Sequence, residues 1–125
     1  MWSHGNFYWN ELMTHDVEQA KTFYGSVVGW TFDATPMAEG TYWVAMMGDT
    51  PVGGLFPMSG ADFEGVPENW MSYLAVDDVD ARLTQATAAG ATTCREPFDV
   101  PGVGRIAILK EPGGAMVGWM TPVTS

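Results

Sequence analysis

The chain has 125 residues, a formal net charge of −10 and a 46% share of hydrophobic residues. This composition excludes a disordered chain, and the length fits one domain. The acidic balance argues against a nucleic-acid partner, and we expect no membrane span and no secretory signal. The single cysteine, Cys94, excludes an internal disulfide and a zinc site built on cysteines, so we expect an inert buried thiol and a cytoplasmic protein.

The first half of the chain predicts the order strand, helix, strand, strand, strand. Residues 7–13 mix aromatic and apolar types, which is typical of a strand. Asp16 is placed to cap a helix, and Gly29 is placed to end it in a left-handed conformation. Three strands are then predicted over residues 30–35 (ended by Pro36), 41–47 and 52–56.

The second half repeats this order after a linker-like stretch at residues 58–68, which is rich in proline, glycine and acids. Asp78 is the second predicted helix cap, and Gly90 ends that helix. Strands are predicted over residues 70–76, 92–100 (interrupted by Pro97), 105–109 and 115–120.

The two halves also agree in their spacing. Each capping Asp precedes a glycine inside the last strand by a similar distance, 38 residues to Gly54 and 40 residues to Gly118. We therefore interpret residues 5–57 and 69–121 as two βαβββ modules of one domain over residues 1–125. Neither module buries a sheet face alone, but a pair of modules does so.

Four segments carry a resemblance to a known family: FYWNELMTHDVEQAKTFYGSVVGW, NWMSYLAVDDVDA, GVGRIAIL and EPGGAMVGW. With them, residues 5–121 resemble the vicinal oxygen chelate superfamily of glyoxalases, bleomycin-resistance proteins and extradiol dioxygenases. The resemblance implies an α+β fold, in which paired βαβββ modules form a curved mixed sheet around a cleft with the helices outside. It also implies a small-molecule ligand.

Typical enzymes of this superfamily bind a divalent metal through one side chain from the first and last strand of each module. The resemblance places these positions at Trp9, Met71, Gly54 and Gly118. Glycine offers no ligand atom, tryptophan only donates, and a thioether is soft, so we predict no metal and no cofactor. Unconventional ligands remain an alternative, namely His4, Glu11, His15 and Glu68.

Strand alternation predicts which side chains face the cleft. The inward set is aromatic, thioether and carboxylate, whereas Leu12, Leu74 and Val76 point towards the helices. Trp43 is a weaker lining candidate, because a tryptophan at such a position more often fills core than cleft. Gly54 and Gly118 are expected to leave room for a ligand. The complete predicted lining is Trp9, Glu11, Met13, Trp43, Gly54, Met71, Tyr73, Arg105 and Gly118.

Glu11 is the candidate catalytic residue, because it is a carboxylate in a run that is otherwise apolar or amide. Partial desolvation would raise its pKa and suit a general base or a ligand anchor. A salt bridge is the structural alternative, and Arg105 is the expected partner. Arg105 would otherwise bind an anionic group of the ligand.

Two functions follow from these residues. The first is a metal-independent protein of the superfamily that binds a small apolar or aromatic molecule. The alternative is a glyoxalase-type lyase, isomerase or dioxygenase that uses unconventional metal ligands or Glu11 as a general base. Proteins of this size and family resemblance are commonly homodimers, so we expect a homodimer in either case. The sequence does not decide between binder and enzyme, and it does not identify the ligand.

Overall fold

The computed structural model describes residues 2–37 and 40–123, and within them the β-α-β-β-β order occurs twice. A short 3₁₀ turn, Ala61–Phe63, lies in the predicted linker. The expected α+β class is confirmed. In chain order the elements are β1 (Phe7–Thr14), α1 (Val17–Val27), β2 (Thr31–Met37), β3 (Gly40–Met47), β4 (Thr50–Pro57), β5 (Asn69–Ala75), α2 (Val79–Ala88), β6 (Thr92–Val100), β7 (Gly104–Lys110) and β8 (Met116–Pro122).

The chain forms two compact units, and each is described by itself. The central unit is Asn10–Met71, and the terminal unit joins the residues up to Trp9 with those from Ser72 onward. The hydrogen-bonded strand order is β2-β3-β4-β1 in the central unit and β5-β8-β7-β6 in the terminal unit. In each unit the first and last strand of a module pair in parallel, and the other pairs are antiparallel.

Both predicted helix caps are present. Asp16 Oδ1 accepts a hydrogen bond from the backbone N–H of Gln19 at 3.0 Å, and Asp78 Oδ1 accepts one from Ala81 at 3.1 Å. Gly29 has φ 92°, which is the left-handed conformation expected after α1. With 11 and 10 residues, neither described helix is long and apolar enough to cross a membrane.

Two prolines lie inside strands that they were expected to end or interrupt. Pro36 does not end β2, which runs to Met37, and Pro97 lies within a continuous β6. β2 and β6 are the outermost strands in the order of their units, so a proline there removes no ladder hydrogen bond on the open side. β6 also changes register between Thr93 and Phe98, as a β-bulge does.

One face of the strands packs against a helix in each unit. In the central unit Leu12 and Leu55 pack with Ala20 of α1. In the terminal unit Val79 and Leu83 of α2 belong to a buried cluster with Val76, Ala107, Leu109 and Val117. The opposite side of the strands in each unit is the helix-free face. It is formed by Glu11, Met13, Tyr42, Val44, Gly54, Phe56 and Met71 in the central unit, and by Tyr73, Arg95, Phe98, Ile106, Ile108, Gly118 and Met120 in the terminal unit.

Candidate functional site

The central unit places Glu11 at one end of a row of residues across four strands. Glu11 lies opposite Gly54 of β4, Gly54 lies opposite Val44 of β3, and Val44 lies opposite Asp33 of β2. Residues that lie opposite each other share a face. The Glu11 side chain is therefore on the helix-free face, and it is buried, with 8% exposure.

A tyrosine covers the glycine of this row. A Cβ added to Gly54 would overlap the Oη and the ring of Tyr42, which reaches over from β3. Only glycine permits so close an approach of a side chain to the backbone. The expectation that Gly54 leaves open room for a ligand is wrong, because the Tyr42 phenol occupies that space.

The terminal unit repeats this arrangement with different residues. Tyr73 of β5 lies opposite Gly118 of β8, Gly118 lies opposite Ile108, and Ile108 lies opposite Arg95 of β6. A Cβ on Gly118 would overlap the ring of Tyr73, which is itself buried. The room expected above Gly118 is therefore also filled by a tyrosine, which here comes from the first strand of the module.

Three other predicted lining residues are partly or fully buried. Met13 lies opposite Phe56 in the parallel β1–β4 pair, and both are half-buried. Met71 is 7% exposed and, by alternation with Trp70, points away from α1. Trp9 is half-buried and lies in the terminal unit.

Trp43 lies on the helix side of the central unit, which corrects its assignment to the lining. It packs against the Leu12–Ala20–Leu55 core, and Lys21 Nζ of α1 lies 3.5 Å from its ring centroid. The reason is the strand register, because Trp43 lies opposite Leu55. Alternation along β3 turns Tyr42 and Val44 to the other face instead.

Arg105 is also on the helix side, and its carboxylate partners are Asp80 and Asp99 rather than Glu11. Nε donates to Asp80 Oδ2 at 2.6 Å, Nη2 to Asp80 Oδ1 at 3.1 Å, and Nη1 to Asp99 Oδ1 at 3.2 Å. These hydrogen bonds raise the pKa of Arg105 and lower that of Asp80. Arg105 follows the alternation of Ala107 and Leu109, which face α2. That alternation in the sequence is a signal that could have excluded it from the helix-free face.

The two histidines form hydrogen bonds outside the two rows. His4 Nδ1 accepts a hydrogen bond from the backbone N–H of Asp77 at 3.0 Å. The carboxylate of Asp77 is held by Arg82, whose hydrogen bonds lower the pKa of Asp77 to about 2. His15 Nε2 lies 2.6 Å from the carbonyl of Val66, so Nε2 is the donor.

The residues that the structure describes do not fit the divalent metal typical of the superfamily. The expected ligand positions hold two glycines, a tryptophan and a methionine, and the glycines are covered by tyrosines. Within residues 2–37 and 40–123, no three or more His, Cys, Asp or Glu side chains are grouped to hold a metal ion.

Sequence reasoning missed an aromatic cluster on the helix side of the central unit. Tyr24 stacks on Trp30 with ring centroids 4.7 Å apart, and both meet Trp70 edge to face. Beside it, Leu12, Thr14, Phe23, Tyr24 and Glu68 line an open groove of about 350 Å³. Phe23 is 54% exposed there. None of the residues that line this groove belongs to the predicted cleft lining.

Cys94 is exposed, which corrects the expectation of a buried thiol. Its Sγ lies 3.6 Å from Met116 Sδ. The bulged register of β6 near this residue makes its facing unpredictable from strand alternation alone.

With this geometry in place, comparison with known proteins decides the family. Residues 8–118 match the Glyoxalase/Bleomycin resistance protein/Dioxygenase superfamily. The chain belongs to this superfamily. The resemblance that the sequence carries is therefore confirmed.

Two curated relatives are similar to the chain over most of its length. "Putative glyoxylase CFP32" of Mycobacterium bovis is 43% identical over 121 residues, which cover 94% of this chain and 44% of that protein. "Anthracycline biosynthesis protein DnrV" of Streptomyces peucetius is 32% identical over 120 residues, covering 86% of this chain and 43% of that protein. The chain thus spans less than half the length of these relatives.

Solved structures with the same fold are more distant in sequence. Hypothetical protein BH1468 from Bacillus halodurans superposes with a TM-score of 0.74 at 11% identity, covering 98% of both chains. Methylmalonyl-CoA epimerase from Mycobacterium tuberculosis superposes with a TM-score of 0.70 at 12% identity, covering 99% of this chain and 94% of that one. At such identities the likeness shows the fold alone.

Proposed function

We propose that the chain binds a small aromatic or apolar molecule on its helix-free faces, and that it does so without a metal ion. The observation that carries this proposal is the tyrosine placed over a glycine in each unit, at Gly54 and at Gly118. Each of these phenols covers the backbone of its glycine, and we call it the aromatic floor of that face. Aromatic floors bind flat or apolar ligands through stacking and apolar contact.

The side chains around these tyrosines support the same ligand class. In the central unit Met13 and Phe56 lie opposite each other and remain partly exposed, next to the Glu11–Gly54 pair. Methionine is flexible and polarizable, so it adapts to ligands of different outline. The face therefore offers dispersion contacts, which suit an aromatic or apolar body.

The names of two relatives point to the same chemistry. DnrV of Streptomyces peucetius and DauV of Streptomyces sp. strain C5, each 32% identical to this chain, are named for anthracycline biosynthesis. An anthracycline is a fused-ring aromatic compound. We propose on this ground that the ligand of this chain is flat and aromatic.

Binding of the neutral probe N-phenyl-1-naphthylamine, measured by isothermal titration calorimetry, tests this function. Met13→Lys is expected to weaken binding at least tenfold, because it places a charge on the helix-free face. Met47→Lys is the matched control, since Met47 is 51% exposed at the end of β3, and it should leave binding unchanged. Met13→Leu should retain binding.

The metal-free part of the proposal has its own test. Dialysis against EDTA should leave the affinity for the probe unchanged, and added Mn²⁺ or Zn²⁺ should not raise it. A loss of binding on EDTA treatment that is restored by one metal equivalent would contradict metal independence. Equal binding by the wild type and Met13→Lys would contradict the proposed site on the central unit.

A second candidate function rests on the burial of Glu11. A carboxylate with 8% exposure on the helix-free face suits a general base that removes a carbon-bound proton from a substrate. The relative CFP32 is named as a glyoxylase, which makes the hemithioacetal of methylglyoxal and glutathione the first substrate to assay. Glu11→Gln should abolish any turnover found. Unchanged turnover would remove Glu11 from catalysis.

We also propose that two copies of the chain associate in a cytoplasmic homodimer. Support comes from large apolar side chains at the surface, among them Phe7 (71% exposed), Phe23 (54%) and Val27 (67%). The relatives are also more than twice as long as the matched region, so they have length for a second such unit. Light scattering coupled to gel filtration gives the mass, and a monomer at micromolar concentration would contradict this assembly.

A further inference from the structure

The terminal unit carries a positive charge on its helix-free face, at Arg95, that pairs with no carboxylate of residues 2–37 and 40–123. The chain has 15 acids and five bases, and Lys21, Arg82 and Arg105 each pair with at least one acid. Arg95 forms no ion pair among the residues that the structure describes, although acids outnumber bases three to one. Asp99 lies in the same strand as Arg95, but its carboxylate pairs with Arg105 on the helix side.

An aromatic ring holds this guanidinium in place. Arg95 Cζ lies 3.7 Å from the centroid of the Phe98 ring, which is a cation–π contact. Stacking uses the face of the guanidinium plane and leaves the N–H donors at its edge free for a planar acceptor. The bulge in β6 makes this contact possible, because the register changes between Arg95 and Phe98.

The position of Arg95 links it to the aromatic floor of the same unit. Arg95 is opposite Ile108, which is opposite Gly118, and the Tyr73 ring covers Gly118. Three strand spacings separate the backbones of Arg95 and Tyr73, which is about 14 Å. The row therefore has the Arg95 cation at one end and the Tyr73 phenol at the other.

We infer that Arg95, held on Phe98, binds the anionic group of the ligand, and that the ligand is an aromatic or apolar molecule carrying a carboxylate, sulfonate or phosphate. This inference rests on the proposed binding function and narrows its ligand class. The anion takes hydrogen bonds from the edge of the guanidinium, and the apolar body lies over Ile108 towards Tyr73. Charge-assisted bonds of this kind are among the strong ones in proteins.

Two probes that differ by one anionic group test the inference. They are 1-anilinonaphthalene-8-sulfonate and its neutral counterpart N-phenyl-1-naphthylamine, each titrated into the full chain by calorimetry. We expect the sulfonate to bind at least as tightly as the neutral probe. The net charge of −10 by itself predicts the opposite order, because it repels anions.

Single substitutions test whether Arg95 is the residue that binds the sulfonate group. Arg95→Gln should weaken binding of the sulfonate about tenfold and change binding of the neutral probe less than twofold. Lys110→Gln removes the same charge from an exposed cation at the end of β7 and should change neither affinity. Arg95→Lys should recover part of the sulfonate affinity, since it restores the charge without the planar fork.

The possible results distinguish a failure of the Arg95 inference from a failure of the proposed binding function. If the neutral probe binds and Arg95→Gln leaves the sulfonate affinity unchanged, the inference is wrong and the proposed function stands. The inference is also wrong, and the proposed function also stands, if Lys110→Gln weakens binding of the sulfonate as much as Arg95→Gln does. If neither probe binds the wild type, both the proposed function and the inference are overturned.

Discussion

The two units use the same backbone positions for different side chains. In each unit a glycine of the last strand lies opposite a residue of the first strand, and a tyrosine covers the glycine. In the central unit the tyrosine comes from β3, which leaves the first-strand position to a carboxylate. In the terminal unit the tyrosine is itself the first-strand residue. Read from the first strand to the edge, the rows are Glu11, Gly54, Val44 and Asp33 in the central unit, and Tyr73, Gly118, Ile108 and Arg95 in the terminal unit.

This difference teaches that the repeat preserves packing and not chemistry. Close approach of a side chain to the glycine backbone recurs, because it depends on the absence of a Cβ. The charges at the edge strand do not recur, since Asp33 is an acid and Arg95 a base. The repeat thus offers two similar aromatic floors with opposite charge beside them.

Gly118→Ala is the change with the largest expected effect. The added Cβ would meet Cδ1 and Cε1 of Tyr73, whose ring is buried and has little freedom to move. Overpacking of this kind costs about 1–3 kcal/mol of the free energy of unfolding. Urea denaturation measures it. Gly113→Ala is the control, because nothing lies within 4 Å of its Cβ, and it should stay within about 0.5 kcal/mol of the wild type.

Gly54→Ala should destabilise the chain less than Gly118→Ala, which would sharpen the contrast between the units. Its Cβ would first meet Tyr42 Oη, the far end of a side chain that is only half-buried. Tyr42→Phe removes that atom, so the double variant should recover part of the loss in a double-mutant cycle. A coupling energy of zero would show that Tyr42 does not restrict this glycine.

The two helix caps are expected to differ in how much stability each contributes, and this difference is smaller than that between the glycines. Asp16→Ala should lower the free energy of unfolding by about 1 kcal/mol, through loss of the hydrogen bond from Gln19. Asp78→Ala should cost less, because Thr121 Oγ1 accepts a further hydrogen bond from Val79 N–H at the start of α2. Thermal unfolding of the two variants gives the comparison, and equal losses would contradict the supporting role of Thr121.

The smallest expected effect concerns acid stability. Hydrogen bonds from Arg82 lower the pKa of Asp77 from 3.8 to about 2 in the folded chain. A lowered carboxylate pKa stabilises the fold above pH 3.8, and this contribution is lost as the pH falls towards about 2. Asp77→Asn should therefore be less stable than the wild type at pH 7, and the two should converge near pH 2.

The control for this ion pair comes from the other unit. Glu18 of α1 pairs with Lys21 through a single 3.4 Å contact and is exposed. Urea denaturation at pH 7 should show a smaller loss of stability for Glu18→Gln than for Asp77→Asn, because Asp77 accepts two hydrogen bonds from Arg82. Salt at 1 M should reduce the Asp77 effect, since the pair is exposed to solvent.

Much of the fold could be predicted from local patterns. The capping aspartates, the helix-ending glycines and the alternation of β1 and β5 each depend on residues close in sequence. Within the described residues, these patterns located the two α-helices and the eight strands to within a few residues and placed Leu12 on the helix side. They failed at Pro36 and Pro97, because the tolerance of a strand for proline depends on whether a neighbour needs its N–H.

The sequence by itself determined the duplicated α+β fold and the lack of metal-ligand side chains at Gly54 and Gly118. The tertiary structure alone decided what fills the space beside these glycines and which acids hold Arg105. It also decided that Arg95 stacks on Phe98. Such contacts depend on strand register and on a bulge, and a shift of one residue turns a side chain to the other face. Local sequence carries the alternation within a strand but not the register that brings two distant strands together.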